Sequence, residues 1–416
     1  MFDLQAIKNE FSVCDCGVKH TLNIRDIQIG SKIVKDTGEI LKKNEFEKRL
    51  LLVADKNTLK ASDGIVEALT DFEITYKIYD DLRQADMEQV LVIESLLDHV
   101  DGCISVGTGS LNDICRYACA KKDKKLCLFA TAPSMDGFAS YNAPLTDGNF
   151  KITYPAKSPE VIIADTNILK SAPIKLKSAG FGDMVGKYVG LIDWQVSHLI
   201  TGEYYCEKVA NLTRQATDMI MALASDVTKE DEKSAEAVFK ALLLTGIGMS
   251  FTKTSRPASG TEHILSHFWE CKKLLKGQIS DFHGRKVGVA TLMVMKEYER
   301  LAKLKSVRAE KERIDWEDVY ARYGPLKDEV IKLNTPDTIT DPIDPKVIEQ
   351  NWDKIVEIIN SMPSYEQIYD AMVKAGCALT PEDIAVDHTL ASEGFIYHPY
   401  MRRRLSLLRL SKMLIK

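Results

Sequence analysis

No uninterrupted apolar run in this chain approaches the roughly 18 residues that a membrane-spanning helix requires. Nor does any stripe of lysine and arginine with interleaved aromatic residues mark a nucleic-acid surface. The charge balance agrees, since 55 basic residues against 60 acidic ones leave a net −5. Membrane spanning and nucleic-acid binding are thereby set aside. The opening residues, Met1-Phe2-Asp3-Leu4-Gln5, lack the basic and then apolar profile of a secretory signal. Cysteines are odd in number and scattered, nine in all, which suits a reducing cytoplasm better than a disulfide framework.

What is present is an ordinary globular composition, 45% hydrophobic and 28% charged, over 416 residues. That length exceeds what one core usually serves, so two domains are expected. In the first half, residues 21–34 alternate like a strand and lead to a loop at Asp36-Thr37-Gly38. Runs at 49–55, 73–79, 102–106, 126–130 and 161–165 have the length of strands, and 58–69 and 84–100 have helical spacing. Asp147-Gly148 reads as a hairpin turn. Strands alternating with helices imply a Rossmann-like parallel sheet, an α/β domain over residues 1–173.

Beyond Pro173 the pattern is helical: 174–201, 204–226, 231–251, 260–276, 284–304, 315–333, 345–360, 364–375 and 381–412. An all-α domain is expected over 174–416. The charge-dense 303–313 reads as a solvated helix end. Met401-Arg402-Arg403-Arg404 reads as part of a basic amphipathic helix, packed at the surface or against another subunit.

Chemistry gathers in a few places. The strand at 102–106 runs into Gly107-Thr108-Gly109-Ser110-Leu111-Asn112-Asp113 and then a helix. Two glycines there admit a close ligand, and the free N–H groups of the helix start favour a phosphate. A capping box between Ser110 and Asp113 is the plainer alternative. Asp55 ends its strand where a carboxylate could meet ribose hydroxyls, or it is simply a turn residue. The polar loop Thr131-Ala132-Pro133-Ser134-Met135-Asp136-Gly137-Phe138-Ala139-Ser140 follows another strand and suits a ligand-facing position.

In the helical half, Ser255-Arg256-Pro257-Ala258-Ser259-Gly260-Thr261-Glu262-His263 breaks one apolar run and starts another. Ser259 and Glu262 have the spacing of a helix-starting capping box, and His263 and His267 then share a face. His283-Gly284 is another histidine at a helix break. Gly180-Phe181-Gly182-Asp183 reads as an aspartate exposed at a glycine-rich helix start. Taken singly, these are an N-cap, a helix-face residue and a loop residue. Together, one carboxylate and two or three imidazoles can close around a divalent metal, in a cleft between the domains. Cys14-Asp15-Cys16-Gly17-Val18-Lys19-His20 offers three soft ligands but no second half-site in the sequence nearby. A turn with free thiols is expected there, not a metal.

G-T-G-S-L-N-D, T-A-P-S-M-D-G-F-A-S, G-F-G-D-x-x-G-K, S-R-P-A-S-G-T-E-H-x-x-S-H and H-G-x-x-V-G occur in the order found in one family. Over residues 14–300 the chain resembles the sn-glycerol-1-phosphate dehydrogenases, in particular their bacterial arabinose-operon branch. These belong to the dehydroquinate synthase-like and iron-containing alcohol dehydrogenase superfamily. The resemblance implies metal ligands Asp183, His263 and His283, and one zinc, nickel or iron ion. It implies that NAD or NADP binds with its pyrophosphate at Gly107, Thr108, Gly109, Ser110 and Asp113. Asp55 would meet the ribose, and Thr131, Ser134 and Ser140 would line the nicotinamide side. Asp136 would lie beside substrate and nicotinamide, and His267 would line the substrate pocket. The implied reaction is reduction of dihydroxyacetone phosphate to sn-glycerol 1-phosphate, serving lipid synthesis, in a cytoplasmic homodimer or larger homo-oligomer. Lys187, Arg256 and Arg285 are the candidate phosphate cations, and Arg285-Lys286 departs from the less basic residues that relatives often carry. Three rivals stand beside this reading: a glycerol dehydrogenase, a dehydroquinate synthase-type lyase, and a nucleotide- or metal-binding protein without turnover.

Overall fold

A computed structural model describes residues 2–415; Met1, which opens the stretch compared with a signal peptide, and Lys416 lie outside them. The chain begins with α1 (Leu4–Ser12), β1 (Asp26–Gly30) and α2 (Thr37–Lys43). Next come β2 (Arg49–Asp55), α3 (Lys56–Ala61), β3 (Glu73–Tyr79), α4 (Met87–Leu97), β4 (Gly102–Gly107), α5 (Gly109–Lys122) and β5 (Lys125–Ala130). A hairpin of β6 (Asn142–Asp147) and β7 (Phe150–Pro155) precedes β8 (Val161–Asp165) and α6 (Thr166–Lys170).

Six strands form one parallel sheet in the order β1-β8-β5-β4-β2-β3. The sequence shows why. Strands covered by helices on both faces carry continuous apolar runs, and every residue of β4 and β8 is buried. From β2 the chain steps to β3 on one side and to β4 on the other. That reversal opens a crevice at the carboxyl ends of β2 and β4, where a ligand can enter. Two expectations in this half are corrected. The loop at 36–38 is helical, because Gly38 tucks against the Ala68 carbonyl, where a Cβ would lie 2.2 Å from its oxygen. The helix expected at 58–69 stops at Ala61, where the Ser62 hydroxyl takes the carbonyls of Thr58 and Leu59.

The rest is helical. α7 (Ile174–Thr201) is the spine, followed by α8 (Glu207–Ala222), α9 (Glu232–Thr252), α10 (Thr261–Leu274) and α11 (His283–Ala302). Then come α12 (Trp316–Tyr323), α13 (Lys327–Asn334), α14 (Pro345–Gln350), α15 (Trp352–Asn360), α16 (Tyr365–Lys374), α17 (His388–Tyr397) and α18 (Leu407–Leu410). Three expected long helices are broken. Gly324-Pro325 interrupts 315–333, and Asn351 separates α14 from α15. The expected helix 381–412 becomes α17 and α18 joined by irregular chain, since Pro399 cannot continue an α-helical ladder. Nor is that segment a basic surface helix. Arg404 donates to the Ser259 carbonyl, and Arg409 is wholly buried 2.9 Å from Glu312. By composition α9 is the one described helix apolar enough to cross a membrane, yet 78% of that window is buried within the fold.

The N-terminal segment docks on the helical half. Phe11 stacks on Phe251 with ring centroids 4.6 Å apart, and Lys208 donates to the Glu10 carbonyl. The turn after α1 therefore lies against Cys206, the residue preceding α8.

Candidate active site

The crevice beyond β2 and β4 continues between sheet and helices as a cavity of about 550 Å³. Thr108 is the N-cap residue of α5, but its hydroxyl is 2.7 Å from the Ser134 hydroxyl instead of capping. The first N–H groups of α5 are thus left without a side-chain cap at the cavity wall. The Ser110–Asp113 capping box does not form. Ser110 donates to the Arg83 carbonyl, and the buried Asp113 carboxylate takes Arg116 at 2.6 Å. Burial lifts the Asp113 carboxyl to about 6 against the pull of Arg116. Asp55 caps α3 through a capping box with Thr58, at 2.8 Å, and also lines the cavity. The turn role posed for it is thus observed, and the carboxylate also lies at the cavity wall. Ser134, Asp136 and Ser140 line the same cavity, while Thr131 is buried beside it with its N–H on the Gly107 carbonyl.

The three residues named as ligands converge at the cavity floor. Asp183 is not exposed at a helix start; it is wholly buried in the middle of α7. Gly182 explains the motif: a Cβ there would lie 2.4 Å from the Gly284 carbonyl, so glycine lets α11 press against α7. That approach brings His283, the first residue of α11, towards Asp183. His263 enters from the first turn of α10. Its Nε2 lies 3.4 Å from Asp183 Oδ1, and the His283 Nε2 lies 4.0 Å from the same oxygen. One donor atom from each of the three falls within 4.8 Å of the others. Two imidazoles and a carboxylate at that spacing fit zinc, nickel or iron. The His263 Nδ1 sits 2.6 Å from Glu262 Oε1, which turns Nε2 towards the centre. The capping box expected from Ser259 and Glu262 is absent, because Glu262 serves His263 and accepts the Gly260 N–H.

His267 lines the cavity with neither ring nitrogen hydrogen-bonded. Burial, aided by Arg402, keeps it neutral well below the usual range. Burial likewise pushes His283 down to about 3, beyond what Asp183 restores. Burial disfavours charge on Asp183 too, but Lys187 and the two imidazoles outweigh it and hold the carboxyl low.

The three candidate phosphate cations are otherwise engaged. Lys187 is wholly buried between Asp183, at 2.7 Å, and Asp136, at 2.8 Å. Arg256 is held by Glu203 and the Leu405 carbonyl, and Arg285 by Asp281 and the Asp383 carbonyl. None of the three lines the cavity. Lys151 of β7 and Lys286 of α11 do, and they share Glu270 of α10. Burial opposes the charge on Glu270, but the two lysines keep it ionised far below the usual range. Two cations against one carboxylate leave net positive charge at that end. Lys286 had a signal, three residues past His283; Lys151 had none, since only the hairpin brings β7 here.

An iron-containing alcohol dehydrogenase family model matches residues 28–173. The glycerol-1-phosphate dehydrogenase (NAD(P)+) of Geobacillus stearothermophilus is 31% identical over 386 residues, 91% of this chain and 89% of that protein. This chain belongs to the glycerol-1-phosphate dehydrogenase family. The Halalkalibacterium halodurans enzyme of the same name is 30% identical, covering 97% of this chain and 96% of its own. Among solved structures, 1,3-propanediol oxidoreductase superposes with a TM-score of 0.64 at 16% identity, covering 94% and 96% of the two chains. The NADH-dependent butanol dehydrogenase A of Thermotoga maritima gives 0.63 at 13% identity and covers 95% of each. Those two likenesses establish the fold: a parallel sheet followed by a helical region.

Proposed function

We propose that this family member catalyses the reversible NAD(P)H-dependent reduction of dihydroxyacetone phosphate to sn-glycerol 1-phosphate. The observation that carries this reading is one continuous cavity. It has an uncapped helix start at its sheet end, the Asp183–His263–His283 triad at its floor and paired lysines beside the triad.

The loop 107–110 and the first turn of α5 would receive the pyrophosphate. Asp113, taken up by Arg116, would hold that turn in place and leave the phosphate contacts to the backbone. Asp55 would accept from the ribose, with Ser134 and Ser140 along the nicotinamide side and Thr131 supporting them from beneath. Asp183, His263 and His283 would hold one divalent metal. When bound, the metal supplies Lewis-acid polarisation of the ketone oxygen, and the nicotinamide supplies the hydride. Asp136 and His267 flank that place. Lys187 holds Asp136 and Asp183 in position, and the neutral, unpaired ring of His267 offers the substrate a hydrogen bond. Lys151 and Lys286 would take the substrate phosphate as point charges.

The net positive end favours a phosphorylated substrate over free glycerol, and the named relatives do not favour a lyase. Nine scattered cysteines, an odd number, support a reducing compartment such as the cytoplasm. The test is an assay of metal-reconstituted enzyme with dihydroxyacetone phosphate or dihydroxyacetone, and with NADH or NADPH. Turnover of the phosphorylated ketone should far exceed that of the free one; equal turnover overturns the substrate assignment.

A further inference from the structure

Outside the cavity lining, on the side where α1 docks, four metal-ligating side chains from two distant parts of the chain meet. Cys14, Cys16 and His20 come from the turn after α1, and Cys206 from the residue before α8. The Cys14 and Cys206 sulfurs are 3.7 Å apart. The His20 Nε2 lies 3.3 Å from Cys16 Sγ and 3.5 Å from Cys206 Sγ. One donor atom from each of the four falls within 4.8 Å of the rest. We propose that Cys14, Cys16, His20 and Cys206 form a second metal site, structural in role, that takes zinc.

The spacings are those of ligands already gathered round an ion. Zinc–sulfur bonds of about 2.3 Å at tetrahedral angles place two sulfurs about 3.8 Å apart, and a sulfur and an imidazole nitrogen about 3.6 Å apart. A disulfide needs its sulfurs at about 2.05 Å, and those of Cys14 and Cys206 stand 3.7 Å apart. The supporting contacts also fit. The His20 Nδ1 lies 3.1 Å from the Phe251 carbonyl, so it donates there and leaves the Nε2 lone pair facing the sulfurs. The Tyr204 hydroxyl lies 3.3 Å from Cys16 Sγ and can donate to a thiolate. Gly17, at φ 82°, makes the turn that lets Cys16 and His20 face the same point. Three thiolates and a neutral imidazole are soft ligands filling four positions, so the site is closed and offers no place for substrate. On binding, three thiols release three protons and their sulfurs bond the ion, with no oxidation or reduction.

The site's position gives it a purpose. α1 is nine residues long and amphipathic, too short to persist alone, and Phe11 is its one fully buried side chain. A metal bound by both the turn after α1 and the α7–α8 junction would pin that segment to the helical half.

The test uses the full chain, expressed with added zinc, and counts bound metal. Asp183→Ala should empty the first site and still retain about one zinc per chain, which Cys206→Ser should remove. X-ray absorption on the Asp183→Ala protein should show three sulfurs and one nitrogen around the zinc. Because cysteine variants can fail to fold, unaltered protein is also treated with a thiol-capping mercurial in the presence of a zinc-sensitive dye. Release of that one equivalent as the thiols are capped supports the site. Zinc with no sulfur neighbours, no zinc left in Asp183→Ala protein, or a Cys14–Cys206 disulfide found by mass spectrometry overturns it.

Discussion

Lys187 reaches one helical turn back to Asp183, with 2.7 Å between Nζ and Oδ1, and both side chains are wholly buried. The same ammonium stands 2.8 Å from Asp136. One lysine thus neutralises one of two buried carboxylates, and the remaining negative charge suits a divalent cation.

Lys187→Met should therefore be costly when metal is removed. Two buried carboxylates then lose their shared ammonium, a loss of about 3–5 kcal/mol in unfolding free energy. Metal binding should recover much of it. Urea unfolding with and without the metal measures both values, and an equal deficit in the two would disconnect Lys187 from the metal centre.

Alanine at Asp183, His263 or His283 should each empty the cavity's metal site, lowering bound metal by one equivalent, and abolish turnover, since three ligands act as one site. His267→Ala should keep its metal and lose activity on the ketone. Metal analysis beside kinetics separates the cases; a His267→Ala protein lacking the same one equivalent would move His267 into the ligand set.

Lys151→Ala and Lys286→Ala should weaken the phosphorylated substrate selectively. Each charged hydrogen bond is worth about 1.5–3 kcal/mol, or roughly 10- to 150-fold in kcat/KM. Dihydroxyacetone, without the phosphate, should be affected far less. Parallel losses on both substrates would show that the lysines only hold Glu270.

Asp55→Ala should weaken NADH and spare NADPH, because the carboxylate accepts from a ribose diol but repels a 2′-phosphate. A change of about 1–3 kcal/mol in preference is expected. Losing the α3 cap should also cost about 1 kcal/mol of stability. Comparing kcat/KM for the two cofactors decides the matter, and an unchanged ratio leaves Asp55 as a cap only.

Glu232, at the start of α9, accepts from Thr166 and Lys170 beyond β8. The Thr166 hydroxyl foremost, then Ser31 and Lys170, hold its carboxyl at about 2. Its unfolded value is about 4.3, so its stabilising effect is fully present above that pH and is lost as pH falls towards 2. Glu232→Gln should lower Tm modestly at pH 7, and the gap should narrow below about pH 4 and close as pH nears 2. A gap that persists in acid would assign the loss to packing.

Asp183, His263, His267 and His283 were legible in the sequence as candidates because metal chemistry restricts residue types and they lie at or near a glycine or helix break; the resemblance alone set His267 apart from the other three. The sheet was legible for a related reason: buried parallel strands need unbroken apolar runs, which composition alone displays. Long-range neighbours were not. Nothing in the spacing of Cys14, Cys16 and His20 points to Cys206, which reaches them only after α1 packs on α9. Lys187 read as a candidate phosphate cation, since helical periodicity does not tell which carboxylates close over it. Lys151 reached the cavity through the β6–β7 hairpin, and within the basic 402–404 segment Arg404 turned inward, where Ser255 and Ser259 offered its hydrogen-bond partners, while Arg403 stayed exposed. Local sequence determines which atoms are available and which elements form. Which of those atoms face one another is decided by packing between elements far apart in the chain, where burial and pairing energies are settled jointly.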